Sequence, residues 1–298
     1  MSGAIGTRDD PFVSHRSLLF TVAYEMLGSA VDAEDVVQET WLRWVDVDQS
    51  EVRDPRSYLV RIVTRKALDR LRALARQREE YVGEWLPEPL LTSPDVAEDV
   101  ELAESVSIAM LTVLETLGPA ERAVFVLREV FDAPYDEIAT ALDKTPAAVR
   151  QIAHRAREHV AARRPRMQVD QAEQQVVVER FLSALQGGDM QQLFDVLAPE
   201  VVLISDGGGL VPAARKPIEG ADKLVAVIAA GFTRLSAELT GTPVWLNGAP
   251  GARIDIDGEV AAAVSLTVEN GRITRIYAIW NPHKLARLGK EARLSRAS

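Results

Sequence analysis

The stretch from Pro134 to Arg157, PYDEIATALDKTPAAVRQIAHRAR, admits few folds. Apolar residues at Ile138, Ala139 and Leu142 mark one short helix, and Val149, Ile152, Ala153 and Ala156 mark a second at the same 3.6-residue period. The two apolar faces must be buried together. Between them Asp143-Lys144-Thr145-Pro146 reads as a tight turn, in which Thr145 caps the second helix and Pro146 takes its first position, where a missing N–H costs nothing. The pattern predicts a helix-turn-helix. Its second helix turns Ala147, Ala148, Arg150, Gln151, His154 and Arg155 outward, a set suited to DNA: Arg and Gln reach base edges, Ala touches thymine methyls, and basic groups hold phosphates. The alternative is a structural hairpin with a solvated face. Charge favours DNA, because Lys144, Arg150, Arg155, Arg157, Arg163, Arg164 and Arg166 stand against Glu158 in a chain of net charge −10.

The charge alternates along the chain. Arg53, Arg56, Arg61, Arg65, Lys66, Arg70, Arg72, Arg76 and Arg78 outweigh Asp54 and Asp69, whereas the stretch from Glu79 to Asp143 is acidic and carries only Arg122 and Arg128. With 298 residues and 47% hydrophobic content, about two domains with real cores are expected. Cysteine is absent, and the histidines at 15, 154, 159 and 283 do not fall at metal-ligand spacing, so neither metal nor cofactor is expected. The start, MSGAIGTRDDPF, lacks the parts of a signal peptide, and no apolar run approaches a membrane span of roughly 18 residues. The expectation is a soluble cytoplasmic protein with no membrane contact.

Residues 11–78 read as a helical domain. Ser14 to Leu27 is expected as an amphipathic helix. In the next, VDAEDVVQETWLRWV, an inward stripe of Val36, Val37, Thr40, Trp41, Trp44 and Val45 leaves Asp35, Gln38, Glu39 and Leu42 outside. That acidic face with one leucine suits docking on a basic partner, or is an ordinary solvated face. A third helix starts at Asp54-Pro55 and packs Leu59, Ile62, Val63, Ala67, Leu68 and Leu71 inward. Tyr58, Arg61, Arg65, Lys66, Arg70 and Arg72 face out, as suits an opened single strand whose bases stack and phosphates pair. Residues 79–103, with prolines at 87, 89 and 94, read as an acidic linker, yet Trp85, Leu86, Leu90 and Leu91 are too apolar for a free tether. Residues 104–165 form a second helical domain, in which Ala120 to Val130 underlies the helix-turn-helix. From 170 to 298 the pattern shifts to two helices, a strand at Val201 to Ser205, a helix from Ala221 to about Leu235, and four further strands with turns such as Asn270-Gly271. This predicts an α+β domain with a curved antiparallel sheet.

Residues 11–164 resemble a bacterial sigma factor of the extracytoplasmic-function type. DAEDVVQETWLRWV looks like the region that grips the coiled coil of the largest RNA polymerase subunit, and PRSYLVRIVTRKALDRLR like the region that melts and reads the −10 element. GPAERAVFVLREVFDAPYDEIATALDKTPAAVRQIAHRARE looks like the region that reads the −35 element. Ala133-Pro134 stands where the family often has a Ser cap. Beyond these, WLPEP at Trp85 to Pro89, DGGG at Asp206 to Gly209 and NPHKL at Asn281 to Leu285 are similar to the motifs of the subgroup carrying a SnoaL-like (NTF2-like) extension. Leu210 and His283 stand where that subgroup usually has Lys and Asp.

The resemblance implies a multidomain chain: two all-α sigma domains, the second with the helix-turn-helix, then an α+β NTF2-like cone. It implies that the chain is not an enzyme and that its partners are promoter DNA and the RNA polymerase core, through the coiled coil and the flap. Asp35, Gln38, Glu39 and Leu42 are then the polymerase face. Tyr58, Arg61, Arg65, Lys66 and Arg70 attend the −10 element; Thr145, Ala148, Arg150, Gln151, His154 and Arg155 attend the −35 element, with Gln151 and Arg155 at base edges and Arg150 and His154 at phosphates. Trp85, Leu86, Pro87, Asp206, Gly207, Gly208, Gly209, Asn281 and Pro282 become regulatory contacts through which the C-terminal domain controls the factor within one chain. Two alternatives stand beside this. The C-terminal domain offers Asp206, Trp245, Tyr277, Trp280 and His283 as the lining of a small-molecule pocket, with Asp206 as a general base. A one-component repressor is the other, and it leaves the first helical domain without a role.

Overall fold

The structure, a computed structural model, describes residues 10–163, 170–234 and 237–296. Arg164, Pro165, Arg166, Leu235 and the start of the chain through Asp9, which enter the reading above, lie outside the described residues, as does the side chain of Arg76. The chain divides into two compact units. One comprises 1–79, 113–164 and 293–298; the other comprises 80–112 and 165–292.

In the first unit, helix α1 (Pro11–Leu27) starts where Asp10 accepts the Phe12 N–H, and stops at Gly28, whose φ of 66° allows its N–H to reach the Tyr24 carbonyl. The expected amphipathic helix is instead buried on every side from Leu18 to Leu27. It is the central rod of the unit, wrapped by α2 (Ala30–Val45) and α3 (Pro55–Glu79). Ser29 caps α2, whose Val36, Thr40 and Trp44 form a buried row at four-residue spacing. Val45, expected inside, is exposed because the helix ends there one step around from that row, and Trp41 is half-buried against Phe12. In α3, Asp54 binds both the N–H and the hydroxyl of Ser57, and Leu59, Val63, Ala67, Leu68 and Leu71 are buried while Ile62 is half-covered.

The same unit holds a helix at Pro119–Phe125 continued by a π-helical turn at Val126–Val130, and then the helix-turn-helix. Its helices are Tyr135–Leu142 and Pro146–Ala161. Asp143 adopts a left-handed φ of 54° between them, and the Thr145 hydroxyl accepts the Ala148 N–H at 3.2 Å. Val149, Ile152, Ala153 and Ala156 are buried as the period required.

The second unit is built on a six-stranded sheet in the order β2-β1-β6-β5-β4-β3, with β1 at Leu197–Asp206, β2 at Ile218–Glu219, β3 at Leu239–Leu246, β4 at Ala249–Ile256, β5 at Glu259–Glu269 and β6 at Arg272–Ile279. The sheet is mixed rather than antiparallel, since β1 pairs β6 in parallel. Asn247-Gly248, Asp257-Gly258 and Asn270-Gly271 each place two successive residues at positive φ, the two-residue turn that matches strand twist. Helices Gln171–Gly187, Met190–Val196 and Ala221–Arg234 cover one face, burying Ile254, Val264, Leu266 and Ile276. Leu86, Ile108 and Ala109, from the segment ahead of the helix-turn-helix, cover Leu246, Ala263, Tyr277 and Ile279 on the other. Leu91 extends the sheet, bridging Leu246 on one side and Glu291 on the other. This is the α+β cone expected, with a strip of upstream chain built into it. No helix among the described residues is long and apolar enough to cross a membrane.

Candidate nucleic-acid interface and the junction of three motifs

The capped start of the Pro146–Ala161 helix sets its outer face. Thr145, Arg150, Gln151, His154 and Arg155 are exposed and Ala148 is half-buried. Arg150 of this helix lies 5.6 Å from the centre of the Tyr135 ring, and Arg128 lies 4.9 Å from it, so one phenol ring faces two guanidiniums. A hydrogen bond to Tyr135, reinforced by Glu129 at 3.1 Å, raises the pKa of Arg157 above its ordinary value. Arg155 lies 3.8 Å from the half-buried Glu121, and His154 3.8 Å from the exposed Glu158, both loose contacts.

On α3, Tyr58 packs against Trp44 and carries Arg61 over its ring at 5.1 Å. The other basic residues of that face have partners. Lys66 pairs Glu39 at 2.9 Å, and Arg70 pairs Asp35 at 2.9 Å and Asp32 at 3.2 Å. Two groups read as separate interfaces therefore meet along the α2–α3 seam. Arg65 donates from Nε to the Ala141 carbonyl at 3.0 Å and from Nη2 to that of Thr140 at 2.7 Å, supplying positive charge to carbonyls in the last turn of the Tyr135–Leu142 helix. Gln38 is exposed and Leu42 is 61% exposed.

In the second unit, the three short motifs converge on Asp206 at the end of β1, which is fully buried. Its Oδ1 accepts the Tyr81 hydroxyl at 2.6 Å and the Gly208 N–H at 3.0 Å; its Oδ2 accepts the Leu86 N–H at 2.9 Å and Lys284 Nζ at 2.7 Å. Its carbonyl accepts the N–H groups of Trp280 and Asn281. Lys284 lies over the Trp85 and Tyr81 rings, and Asn281 donates to the Tyr81 hydroxyl at 2.9 Å. Burial, then the hydrogen bond and charge of Asp206, push the Tyr81 pKa far above its ordinary value. Glycine is required at 208: φ is 61°, and a Cβ there would fall 2.4 Å from Asn281 Nδ2. Gly207 is held as closely, its absent Cβ falling 2.5 Å from the Val211 carbonyl, whereas Gly209 has more room. Leu86 and Pro87 are buried, and Pro282 is exposed at the start of a short helix capped by Asn281. A second anchor lies nearby, where Asn247 accepts the Leu90 N–H at 2.9 Å and donates to the Val106 carbonyl at 2.8 Å.

Sequence reasoning passed over Tyr81, Asn247 and Lys284 as contacts. Lys284 lay inside a quoted motif, and Asn247 in an Asn-Gly turn; Tyr81 had only its closeness to WLPEP. The small-molecule pocket weighed as an alternative does not assemble from the residues named for it. Asp206 is saturated by donors, His283 is exposed, and Tyr277 and Trp280 pack into cores on opposite faces of the sheet. A cavity of about 320 Å³ lies instead beside the glycines, lined by Val82, Gly83, Ser205, Val211 and Arg215 among others. Among the described residues no cluster of side chains could hold a metal ion.

Residues 12–77 match the family model for sigma-70 region 2, and residues 107–160 that for sigma-70 region 4. The chain is 37% identical to the ECF RNA polymerase sigma factor SigJ of Mycobacterium tuberculosis over 92% of this chain and 91% of that relative. It is 33% identical to the probable ECF RNA polymerase sigma factor SigI of the same species over 93% and 94%. The crystal structure of the SigJ protein superposes with a TM-score of 0.74 at 34% identity, covering 92% of this chain and 97% of that one. The region 2 match gives the first helical domain the role that a repressor would leave empty. With both regions in order, and full-length likeness to non-enzymatic initiation factors, the chain belongs to the extracytoplasmic-function RNA polymerase sigma factors.

Proposed function

We propose that this sigma factor reads a −35 duplex with the outer face of the Pro146–Ala161 helix, holds an opened −10 strand on α3, and docks on polymerase through Asp35, Gln38, Glu39 and Leu42. The C-terminal domain tunes that activity in cis. The carrying observation is the folding of residues 80–112, which run from the end of region 2 into the start of region 4, into the unit built by the C-terminal domain. The −10 and −35 elements are centred about 25 base pairs apart, or about 85 Å at ~3.4 Å per base pair. Extended, the 80–106 segment, which lies ahead of region 4, spans ~90 Å at ~3.3 Å per residue, which suffices. Held by Asp206 and Asn247, it has no such reach, and Arg65 meanwhile keeps α3 on the Tyr135–Leu142 helix. Release of the segment by the C-terminal domain is then the regulated step. The end of the chain adds a second tie within the first unit, where the Ser295 N–H bonds the Thr21 hydroxyl at 3.0 Å.

Run-off transcription with core polymerase tests this, using the full chain, the chain ending at Pro165, and full-length Asp206→Asn. A specific transcript that depends on the chain, with output altered by truncation while polymerase binding persists, is the expected result. Equal output from all three proteins removes the cis-tuning reading, and no transcript from any removes the promoter reading.

A further inference from the structure

The seam between the two sigma regions holds a buried charge cluster that the interfaces above do not use. Glu115, ahead of the Pro119–Phe125 helix, receives Arg78 from the end of α3 and Arg122 from the Pro119–Phe125 helix. Side-chain exposures are 14% for Glu115, 20% for Arg78 and 1% for Arg122. Each arginine also caps the C-terminal turn of α1: Arg78 Nη2 donates to the Leu27 carbonyl at 2.7 Å, and Arg122 Nε to the Glu25 carbonyl at 2.9 Å. The seam is thus stitched from both sides at Glu115, which takes a guanidinium from each region.

The energetics single out that carboxylate. Two guanidiniums brought together out of water repel, and the α1 carbonyls offset only part of their lost hydration. Burial and the neighbouring Arg122 pull the Arg78 pKa below its ordinary value, and Glu115 pushes it back. The Nη2 atom of Arg122 is buried without an acceptor among the described residues, so Arg122 leans on Glu115 for its ionic partner. Once the regions part, both arginines regain water, and the charge of Glu115 is no longer needed. The Lys66–Glu39 and Arg70–Asp35 pairs differ, lying within one region and in solvent.

We propose that Glu115 is the pin of the closed seam between regions 2 and 4, and that neutralising its charge shifts the free factor to an open form in which both regions are available to polymerase. The inference rests on the sigma reading above and adds an element of control within the sigma regions themselves, separate from the Asp206 junction.

The chain has no cysteine, so Arg43→Cys and Ala161→Cys, both at exposed sites, give a clean spin-label pair across the seam of the full-length protein. The unaltered cluster should give one narrow distance distribution. Glu115→Gln, and separately Arg78→Met, should each move at least half of the population to longer, broader distances with helical circular dichroism retained, and raise run-off output of the full chain several-fold. If either variant folds and keeps the narrow distribution, Glu115 is not the pin. Loss of helical signal in Glu115→Gln also overturns the proposal, since the cluster then supports the regions and not their seam. Failure of the sigma reading looks different: no specific transcript appears from any form, including the chain ending at Pro165, whatever the distances show.

Discussion

The ammonium of Lys284 sits 4.0 Å from the centre of the Trp85 ring and 2.7 Å from Oδ2 of Asp206, joining residues from all three short motifs at one buried point. A cation so placed gains from the ring face and the carboxylate together, and its loss strands a fully buried anion. Lys284→Met should lower the unfolding free energy of the C-terminal unit by about 3–5 kcal/mol. The double variant with Asp206→Asn should recover part of it, because no unpaired charge remains. Denaturant titration of the four-protein cycle measures both, and additive losses would contradict a coupled pair.

Tyr81 gives this junction an alkaline limit. Its pKa is raised in the folded protein, so the neutral phenol is the form the fold prefers. The stability it contributes is complete below the unfolded value near 10 and is lost as pH climbs through that value toward the folded one. Melting temperature followed from pH 8 upward should fall more steeply for the natural chain than for Tyr81→Phe. Parallel curves would show that Tyr81 does not titrate with unfolding.

On the outer helix, residues assigned to bases and to phosphates should fail differently. Gln151→Ala should cost roughly 1–3 kcal/mol on the preferred −35 sequence and flatten discrimination at one position. Arg150→Ala should weaken all sequences alike and reduce the salt dependence of binding. Holoenzyme binding to a panel of single-base promoter variants separates the two patterns. A uniform loss for Gln151→Ala would return it to the phosphate class.

Glu39 and Asp35 pair with Lys66 and Arg70 on side chains that are largely in water, where such pairs contribute about 0.2–1 kcal/mol. Glu39→Gln and Asp35→Asn should therefore leave the melting temperature nearly unchanged. Affinity for polymerase core should fall all the same, if these carboxylates form the docking face. Titration calorimetry with core enzyme provides the check: undiminished affinity would make the α2 surface an ordinary solvated one.

The helix-turn-helix was legible because its information is local. Period, Thr145 and Pro146 fix both helices and the turn within a few residues, and the structure follows them. Helix α1 was misread in one respect: residues 18–27 bury every side, and a row of apolar residues announces burial without saying how many neighbours will provide it. The strands were readable from alternation and Asn-Gly turns, but a two-residue period carries no direction, so the parallel pairing of β1 and β6 was hidden. Long-range partners were hidden for the same reason. Arg65 reaches Thr140 across 75 positions and Tyr81 reaches Asp206 across 125, and neither end carries a local mark of the other.

The interleaving of the two units has a consequence for how such a chain can be inherited. The stretch 80–112 lies ahead of the helix-turn-helix, yet it supplies Leu86 and Ile108 to the sheet formed by residues from 197 to 279. A recombination event that appended the downstream portion alone to an ordinary two-region factor would leave Ala263, Tyr277 and Ile279 without the cover of Leu86, with only Leu285 and Leu288 beside them from the downstream portion. Gain of the extra domain is therefore tied to residues at two separated places in the chain, and its loss would uncover the apolar Leu86.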